Sequence, residues 1–329
     1  MSLLDKYIDY IRDIRRYSER TVQIYDAALY DYVSFAHDGM SEVSDDDIVS
    51  SMNVSEIRSY EVAMLDKGYS SKTVNLHISA LSSFCRYLIK NQKLKSNPVR
   101  SVVKPKTEKR LPVFFRKESM DAYFEKTAEL LTRKEIDFFI SNHDSESGEG
   151  MYKAILARMI ISLLYALGIR RSELISLRIG DVDFGRNVVK VTGKGDKKRE
   201  IPFIASLCEE LLLYLEAVET MCGGKRSLKE PLLITYKGKG LYPAYVDRVV
   251  KSELGDVKGI TGRKSPHVLR HSLATELLNE GTDINSIKEL LGHSSLAATQ
   301  VYTHGSIARL KSIYEQAHPR AKNGGKHGD

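Results

Sequence analysis

A basic stretch punctuated by prolines divides this 329-residue chain into two unequal parts. Between residues 86 and 117 the only acidic side chain is Glu108, and Pro98, Pro105 and Pro112 interrupt any regular helix. The basic residues of the stretch are Arg86, Lys90, Lys93, Lys95, Arg100, Lys104, Lys106, Lys109, Arg110, Arg116 and Lys117. This composition predicts an extended linker between two domains.

The length and composition of the chain permit two globular domains. A chain of 329 residues exceeds the roughly 100–200 residues of a single domain, and its 42% hydrophobic content is ample for packed cores. We expect an N-terminal domain over residues 1–100, a basic linker over residues 101–111 and a second domain over residues 112–329. The linker is interpreted as either a solvated spacer or a strap that lies along DNA and gains affinity by releasing counterions. The net charge of +7 is compatible with such a polyanionic partner.

Apolar residues recur at helical spacing throughout the N-terminal part. Residues 3–17 and 22–35 each carry one apolar face, and a third helix is predicted over residues 48–65 with a break near Asn53. A fourth helix opens at Ser71, after a turn. We therefore expect a bundle of four or five helices in this part of the chain.

The second part is predicted to combine helices with a small β-hairpin. Residues 152–167 indicate a buried core helix, whereas the polar and acidic residues 132–150 are typical of a surface insertion. Residues 188–192 and 199–203 alternate in the manner of strands and flank a glycine-containing turn, which predicts a β-hairpin. Further helices are predicted over residues 118–131, 207–221, 245–254, 266–278, 284–291, 294–301 and 307–317. The expected fold class is mainly α with a small β-hairpin or sheet.

We expect a cytoplasmic protein that does not insert into a membrane. The longest apolar run, residues 154–169, is interrupted by Arg158 and falls short of the roughly 20 residues that a membrane span needs. The first residues of the chain lack the pattern of a signal peptide. Cys85, Cys208 and Cys222 lie far apart with no CxxC pair, which predicts reduced thiols and disfavours a disulfide framework or a zinc site.

Two short motifs near the C-terminal end carry side chains that suit an anion. Ser265 is a favourable N-cap residue and proline suits the first position of the helix that follows. His267 and Arg270 are then three positions apart near the N-terminus of that helix, where negative charge is favoured. The next helix is predicted to end in a Leu-Gly-His motif that leaves His293 at its end, and Tyr302 follows nine residues later.

Two further segments carry candidate residues for the same site. Arg170 stands at a break before a helix, and Glu173 follows three positions later on the same face, where its carboxylate can fix a guanidinium in place. Lys194 lies at the tip of the predicted hairpin. Each of these features is common when it occurs alone, as a surface pair, an ordinary salt bridge or a solvated turn residue. Only their combination, in this order, indicates a phosphoryl-transfer site.

The chemistry available to these residue types is specific. Arginines can hold the non-bridging oxygens of a phosphodiester and stabilise the charge of its transition state. A tyrosine with a pKa of about 10 is only about 0.1% ionised at neutral pH, so neighbouring cations and a base such as His267 would help to form the phenolate. The product would be a covalent phosphotyrosine, with Lys194 as the acid that protonates the leaving 5′ oxygen. We expect neither a metal ion nor another cofactor, and no ATP-binding GxxxxGK[ST] loop occurs.

These motifs resemble those of the tyrosine recombinase, or phage integrase, family. Gly-Ile-Arg-Arg-Ser-Glu-Leu at residues 168–174, Gly-Lys-Gly at 193–195, His-x-x-Arg at 267–270 and Leu-Gly-His at 291–293 match the family pattern, and a tyrosine stands at its expected distance beyond them. The resemblance implies Arg170, Lys194, His267, Arg270 and His293 as catalytic residues and Tyr302 as the nucleophile. It also implies a two-domain clamp, with a SAM-like N-terminal core-binding domain and a mixed α+β catalytic domain.

Within this family the sequence looks most like the Xer recombinases, XerC and XerD, and its ending "SIYEQAHPRA" is closer to the XerC type. This likeness implies a homo- or hetero-tetramer that exchanges strands of double-stranded DNA at a dif-like site through a 3′-phosphotyrosine and a Holliday junction. It further implies docking of the C-terminal helix on a neighbouring subunit, and control by an FtsK-type translocase during chromosome dimer resolution.

Several alternatives stay open from the sequence. The integrase or excisionase of a mobile element shares these motifs, a type IB topoisomerase uses the same chemistry, and a DNA-binding protein could lack catalysis. Lys72 and Arg86 on the fourth N-terminal helix are candidates for DNA contacts. Arg171 departs from the small apolar residue usual in the family, and is interpreted as either an extra phosphate contact or a residue without a role.

Overall fold

The chain folds into two compact units, Met1–Arg110 and Leu111–Asp329, each with its own hydrophobic core. A computed structural model describes residues 2–39, 43–107, 113–145, 147–193, 197–260 and 262–292. The helices predicted over residues 294–301 and 307–317 lie outside the described residues.

The described part of the N-terminal unit is helical, as the sequence predicts. The first helix, α1, passes directly into a π-helical turn at Tyr10–Ile14, so the helix predicted over residues 3–17 is shorter and not uniform. The predicted break near Asn53 is confirmed, because its side chain caps the following helix by accepting the backbone N–H of Glu56 at 2.9 Å. The α-helices are α1 Leu3–Asp9, α2 Glu19–Ala36, α3 Asp45–Ser51, α4 Val54–Asp66 and α5 Ser71–Lys90.

The prediction of an extended linker over residues 86–117 is wrong at its N-terminal end. Residues 86–90 are the last turn of α5, and Pro98–Ser101 form a 3-10 turn. Val99 and Val102 are buried in the core of the N-terminal unit, which anchors this segment. Charge and proline content dominated the sequence pattern, but the two buried valines, together with hydrogen bonds from the Asn97 side chain to Ser82, hold the segment against the core.

The second unit is mainly helical with a small antiparallel sheet. Its described helices are α6 Lys117–Lys126, α7 Arg133–Asn142, α8 Gly148–Leu167, α9 Arg171–Ser176, α10 Ala205–Met221, α11 Pro243–Glu253, α12 Pro266–Asn279 and α13 Ile284–Leu291, with 3-10 turns at Ala128–Leu131 and Ile179–Asp181. The strands β1 Val182–Asp183, β2 Val188–Thr192 and β3 Lys198–Pro202 pair in the order β1-β2-β3. The predicted hairpin is therefore confirmed, whereas the two-residue strand β1 was not predicted.

Helix α8 is the central element of the second unit, and its prediction as a core helix is confirmed. It is long and apolar enough to cross a membrane, yet 78% of its apolar 18-residue stretch is buried inside the protein. The helix ends at Gly168, whose φ of 58° suits glycine. A Cβ atom there would lie 2.7 Å from the Leu291 side chain and 2.8 Å from that of Leu273, so a glycine lets α12 and α13 approach this end of α8 closely.

The prediction that residues 132–150 form a surface insertion is wrong. Most of this segment is helix α7, which Thr132 caps by accepting the backbone N–H of Glu135. Ile136 and Phe139 are fully buried in the core, and α7 packs against α10. The acidic residues that follow α7 obscured the helical spacing of these two apolar side chains in the sequence.

Candidate active site

Arg170 is held by the helix that it precedes. It is the N-cap residue of α9, and its backbone N–H donates to Oε2 of Glu173 at 2.8 Å. Its side-chain Nη1 donates to Oε1 of the same carboxylate at 2.7 Å. The Glu173 side chain is only 3% exposed, whereas that of Arg170 is 33% exposed. The guanidinium is thus partly accessible and is oriented by a buried carboxylate.

A second arginine, which the sequence did not single out, binds the same carboxylate. Nη1 and Nη2 of Arg199 on β3 donate to Oε1 and Oε2 of Glu173 at 3.1 and 2.9 Å. Burial by itself raises the pKa of Glu173, but the hydrogen bonds and charges of Arg199 and Arg170 outweigh that effect and hold the pKa at about 2. Glu173 is therefore ionised at any pH at which the protein would work.

A signal for Arg199 does exist in the sequence. Side chains two positions apart in a strand share a face, and Arg199 is two positions before the buried Ile201. It also pairs across the hairpin with the buried Val191. An arginine on the core face of a strand requires a buried acceptor, because an isolated buried charge is costly. Glu173 is that acceptor, but it lies on another element.

Arg270 is buried among backbone carbonyl groups. It lies one turn into α12 and is 5% exposed. Its Nη1 donates to the carbonyl oxygen of Gly168 at 2.6 Å, and Nη2 donates to that of Leu291. Burial, followed by the charges of Arg170 and Arg199, lowers the pKa of Arg270 to about 10. The side chain therefore stays cationic at neutral pH.

Arginines from three elements converge on the C-terminal end of α13. The carbonyl oxygen of Leu290 accepts from Nε of Arg199 at 3.0 Å, that of Leu291 accepts from Arg270, and that of Gly292 accepts from Nη2 of Arg170 at 2.9 Å. The last carbonyls of a helix have no partner within the helix and carry its partial negative charge. These cations satisfy them and fix the end of α13 beside Arg170.

His267 differs from Arg270, which lies one turn away on α12. Its side chain is exposed in the first turn of the helix. Partial desolvation lowers the pKa of His267, and the positive charges of Arg171, His271, Arg270 and Arg170 lower it further. The neutral imidazole is favoured at neutral pH, so this side chain can accept a proton. Ser265 is the N-cap residue, as predicted, although its side chain makes no capping hydrogen bond.

Arg171 lies beside the site but has a partner of its own. Its Nη1 forms an ion pair with the Asp247 carboxylate on α11. Its charge nevertheless contributes to the lowered pKa of His267. The structure thus gives Arg171 a partner that the sequence did not predict, in an ion pair between α9 and α11, and does not test a phosphate contact.

The other predicted site residues are distributed as follows. Lys194, His293 and Tyr302 lie outside the described residues. At the turn end of the hairpin, the Gly193 N–H donates to the Lys197 carbonyl oxygen at 2.8 Å, on the two residues that flank positions 194–196. The structure thus brings Arg170, Glu173, His267 and Arg270 together and leaves the other half of the site as a prediction.

Lys72 and Arg86, the predicted DNA contacts, are both exposed on α5. Fourteen residues correspond to about four helical turns, so the two side chains lie on nearly the same face. Their contact with DNA stays a prediction.

No metal site is found among the residues that the structure describes. They contain no group of three or more His, Cys, Asp or Glu side chains that could hold an ion. Cys85, Cys208 and Cys222 are free thiols, and burial raises the pKa of Cys85 to about 12. The Cys85 thiol is therefore packed in the core as a small apolar side chain.

Comparison with known proteins identifies the family. Residues 129–309 match the phage integrase family, and residues 4–92 match the N-terminal SAM-like domain of phage integrases. The chain belongs to the phage integrase family. It is 35% identical to the tyrosine recombinase XerC of Bacillus pumilus, with 97% of each protein covered, and 32% identical to that of Chlorobaculum parvum, with 97% of this chain and 94% of that protein covered.

Solved structures show the same fold at lower sequence identity. The Tn1549 transposon integrase in complex with transposon right end DNA superposes with a TM-score of 0.57 at 19% identity, covering 98% of each chain. XerH bound to its difH substrate gives a TM-score of 0.56 at 19% identity, covering 97% of this chain and 83% of that one. The predicted two-domain tyrosine recombinase architecture is confirmed.

The activity follows from the family and its full-length relatives. The protein is a tyrosine recombinase, an enzyme that carries out Xer-type site-specific recombination of DNA. Similarity to XerC over nearly the whole chain favours this activity over that of a type IB topoisomerase or a non-catalytic DNA-binding protein.

Proposed function

We propose that this recombinase resolves chromosome dimers at a dif-like site of its host, in the cytoplasm. The observation that carries the proposal is the extent of the similarity to XerC proteins, which covers 97% of this chain and 97% of the Bacillus pumilus protein. A mobile-element integrase that shared only the catalytic motifs would not require such similarity in the N-terminal unit.

Catalysis in this proposal is a pair of transesterifications. Oη of Tyr302 attacks the scissile phosphorus, and the bond to the 5′ oxygen breaks as Lys194 supplies its proton. His267 accepts the tyrosine proton, which agrees with its lowered pKa. Attack by the 5′ hydroxyl of the partner strand reverses these steps and rejoins the DNA. One phosphodiester replaces another, so no ATP is consumed.

Arg170, Arg270 and His293 hold the phosphate in this proposal. The partly exposed guanidinium of Arg170 is oriented by a buried carboxylate, which supports a direct phosphate contact. Arg270 is more deeply buried, so its charge lies in a region of low dielectric, where it acts more strongly on a developing negative charge. Glu173 orients Arg170 and does not itself contact DNA.

The assembly that we propose is a homo- or hetero-tetramer on two DNA duplexes, passing through a Holliday junction under the control of an FtsK-type translocase. Lys72 and Arg86 are the proposed DNA contacts of the N-terminal unit. Two solved relatives agree with a DNA-bound assembly in their own cases: a lambda integrase fragment was crystallised as a dimer bound to a core site, and XerH was crystallised with difH.

A covalent trapping assay tests the proposed function. The protein is incubated with nicked DNA that carries the dif-like site of its host, denatured, and examined for a protein–DNA adduct beside the Tyr302→Phe variant. We expect an adduct with the wild type and none with the variant, which should still bind DNA. An adduct that persists in Tyr302→Phe would remove this tyrosine from the mechanism. Adduct formation on mobile-element ends, and not on the dif-like site, would overturn the chromosomal role.

A further inference from the structure

Arg199 reaches both the carboxylate that orients Arg170 and the helix end that precedes His293. Its Nη atoms bind both oxygens of Glu173, and its Nε donates to the Leu290 carbonyl oxygen at 3.0 Å. Building on the proposed function, we propose that Arg199 is a positioning residue of the active site. It holds Glu173 against Arg170 and ties the end of α13 to the same carboxylate.

The contacts around Glu173 form a closed loop. Arg170 and Arg199 each bind this carboxylate, and each also binds the end of α13, at Gly292 and Leu290 respectively. The arginine proposed to hold the phosphate and the segment that leads to His293 and Tyr302 are thereby positioned by one buried ion-pair network. Displacement of Arg170 would therefore disturb the contacts at the end of α13, and displacement of that end would disturb the contacts of Arg170.

The packing around Arg199 leaves little freedom for another arrangement. The residue is 7% exposed, and a Cβ atom at Gly292 would lie only 3.1–3.2 Å from its guanidinium and Cδ atoms. The φ of 65° at Gly292 is also one that glycine tolerates readily. The chain turn after α13 and the planar guanidinium therefore fit closely against each other. Lysine, with a single donor group, cannot reproduce these three contacts.

Loss of Arg199 should make the orientation of Arg170 depend on pH. Without this arginine, Glu173 stays buried but loses its bidentate cation, so burial raises the pKa of its carboxyl. At low pH the neutral carboxyl would release Arg170, and at higher pH the ionised carboxylate would hold it again. The ratio of variant to wild-type cleavage rate should therefore rise with pH. A residue that only stabilised the fold would give a ratio independent of pH.

The experiment measures single-turnover cleavage of the nicked site at saturating DNA, from about pH 5.5 to about pH 8.5. We expect Arg199→Met to cleave about 100-fold more slowly than wild type at neutral pH, the loss that a displacement of about 1 Å can cause, with unchanged affinity for DNA. The rate ratio should rise with pH. Arg199→Met should also add little to the loss caused by Glu173→Gln, since both act through the orientation of Arg170.

Arg186→Met is the matched control. Arg186 also pairs with a glutamate of β3, since its Nη2 lies 2.9 Å from the carboxylate of Glu200, but this pair is partly solvent-exposed and lies outside the Glu173 network. Cleavage by this variant should match wild type. If Arg199→Met does not fold by circular dichroism, Arg199→Lys is measured instead, and we expect an intermediate loss of rate with the affinity for DNA retained.

The outcomes separate this inference from the proposed function. Wild-type cleavage by the Arg199 variants, together with no adduct in Tyr302→Phe, would overturn only the positioning role. A constant rate ratio across the pH range, or additive losses with Glu173→Gln, would overturn it as well. An adduct that persists in Tyr302→Phe would instead overturn the proposed nucleophile.

Discussion

The two units of this recombinase use basic side chains in opposite ways. On α5 of the N-terminal unit, Lys72 and Arg86 are exposed to solvent. In the catalytic unit, Arg199 and Arg270 are 7% and 5% exposed and are bound to carbonyl and carboxylate oxygens. Exposed cations attract a phosphate backbone from a range of positions, whereas buried cations hold their neighbours in one arrangement. We therefore propose that charge serves affinity for DNA in the N-terminal unit and active-site geometry in the catalytic unit.

The largest effect is expected from Arg270→Ala. This change removes a proposed phosphate-stabilising charge, and it also leaves the carbonyl oxygens of Gly168 and Leu291 without their guanidinium partner. Single-turnover cleavage should fall about 1000-fold, comparable with the loss of one strong oxyanion donor. Arg270→Lys is the control, since it keeps the positive charge but loses the planar guanidinium group that donates to two carbonyl oxygens. Cleavage by Arg270→Lys at the wild-type rate would show that charge alone matters at this buried position.

A smaller effect, on stability, is expected from Glu173→Gln. Removal of one member of a buried ion pair typically costs about 3–5 kcal/mol, because the remaining charges are left uncompensated. Arg199 and Arg170 would both lose their carboxylate here. Urea unfolding at neutral pH should show a loss in this range for the variant.

The pH dependence of that loss gives a sharper test. The pKa of Glu173 in the folded protein is about 2, below its ordinary value of 4.5, so its contribution to stability is present above pH 4.5 and is lost as the pH falls towards 2. The stability difference between wild type and Glu173→Gln should shrink over this interval. A difference that stays constant would mean that the carboxylate charge does not stabilise the fold.

Local patterns in the sequence predicted the elements of the site but not the contacts between them. The helix spacing of residues 266–278, the strand alternation around the hairpin and the apolar run of α8 are encoded by near neighbours along the chain, and the structure confirms them. The link between Arg199 and Glu173 spans 26 positions and that between Arg199 and Leu290 spans 91 positions. Arg170, Arg199 and Arg270 all donate to backbone carbonyl oxygens. Every residue has such an oxygen, so the residue types do not reveal these contacts.

The two wrong predictions, a surface insertion over residues 132–150 and an extended linker from residue 86, also arose because local sequence patterns do not show contacts between elements. The acidic residues after α7 and the basic residues after α5 suggested surface segments, because composition averages over a window. Burial is decided by a few positions, such as Ile136 and Phe139 in α7 and Val99 and Val102 beyond α5. The contacts of the active site are equally hard to predict from composition. The position of Arg199 on the core face of a strand is the one feature of the sequence that indicates its buried partner.

The smallest effects are expected from Lys72→Ala and Arg86→Ala, which test the exposed cations of the N-terminal unit. Each change should weaken DNA binding several-fold and lower the slope of log Kd against log salt by about 0.9, the value for loss of one phosphate contact. The rate of cleavage at saturating DNA should not change if these charges contribute only to affinity. Lys67→Ala, at an exposed position just after α4, is the matched control and should leave the salt slope unchanged. If Lys72→Ala and Arg86→Ala lowered the cleavage rate at saturation, the exposed cations would also position the DNA, and the separation between affinity and geometry would not hold.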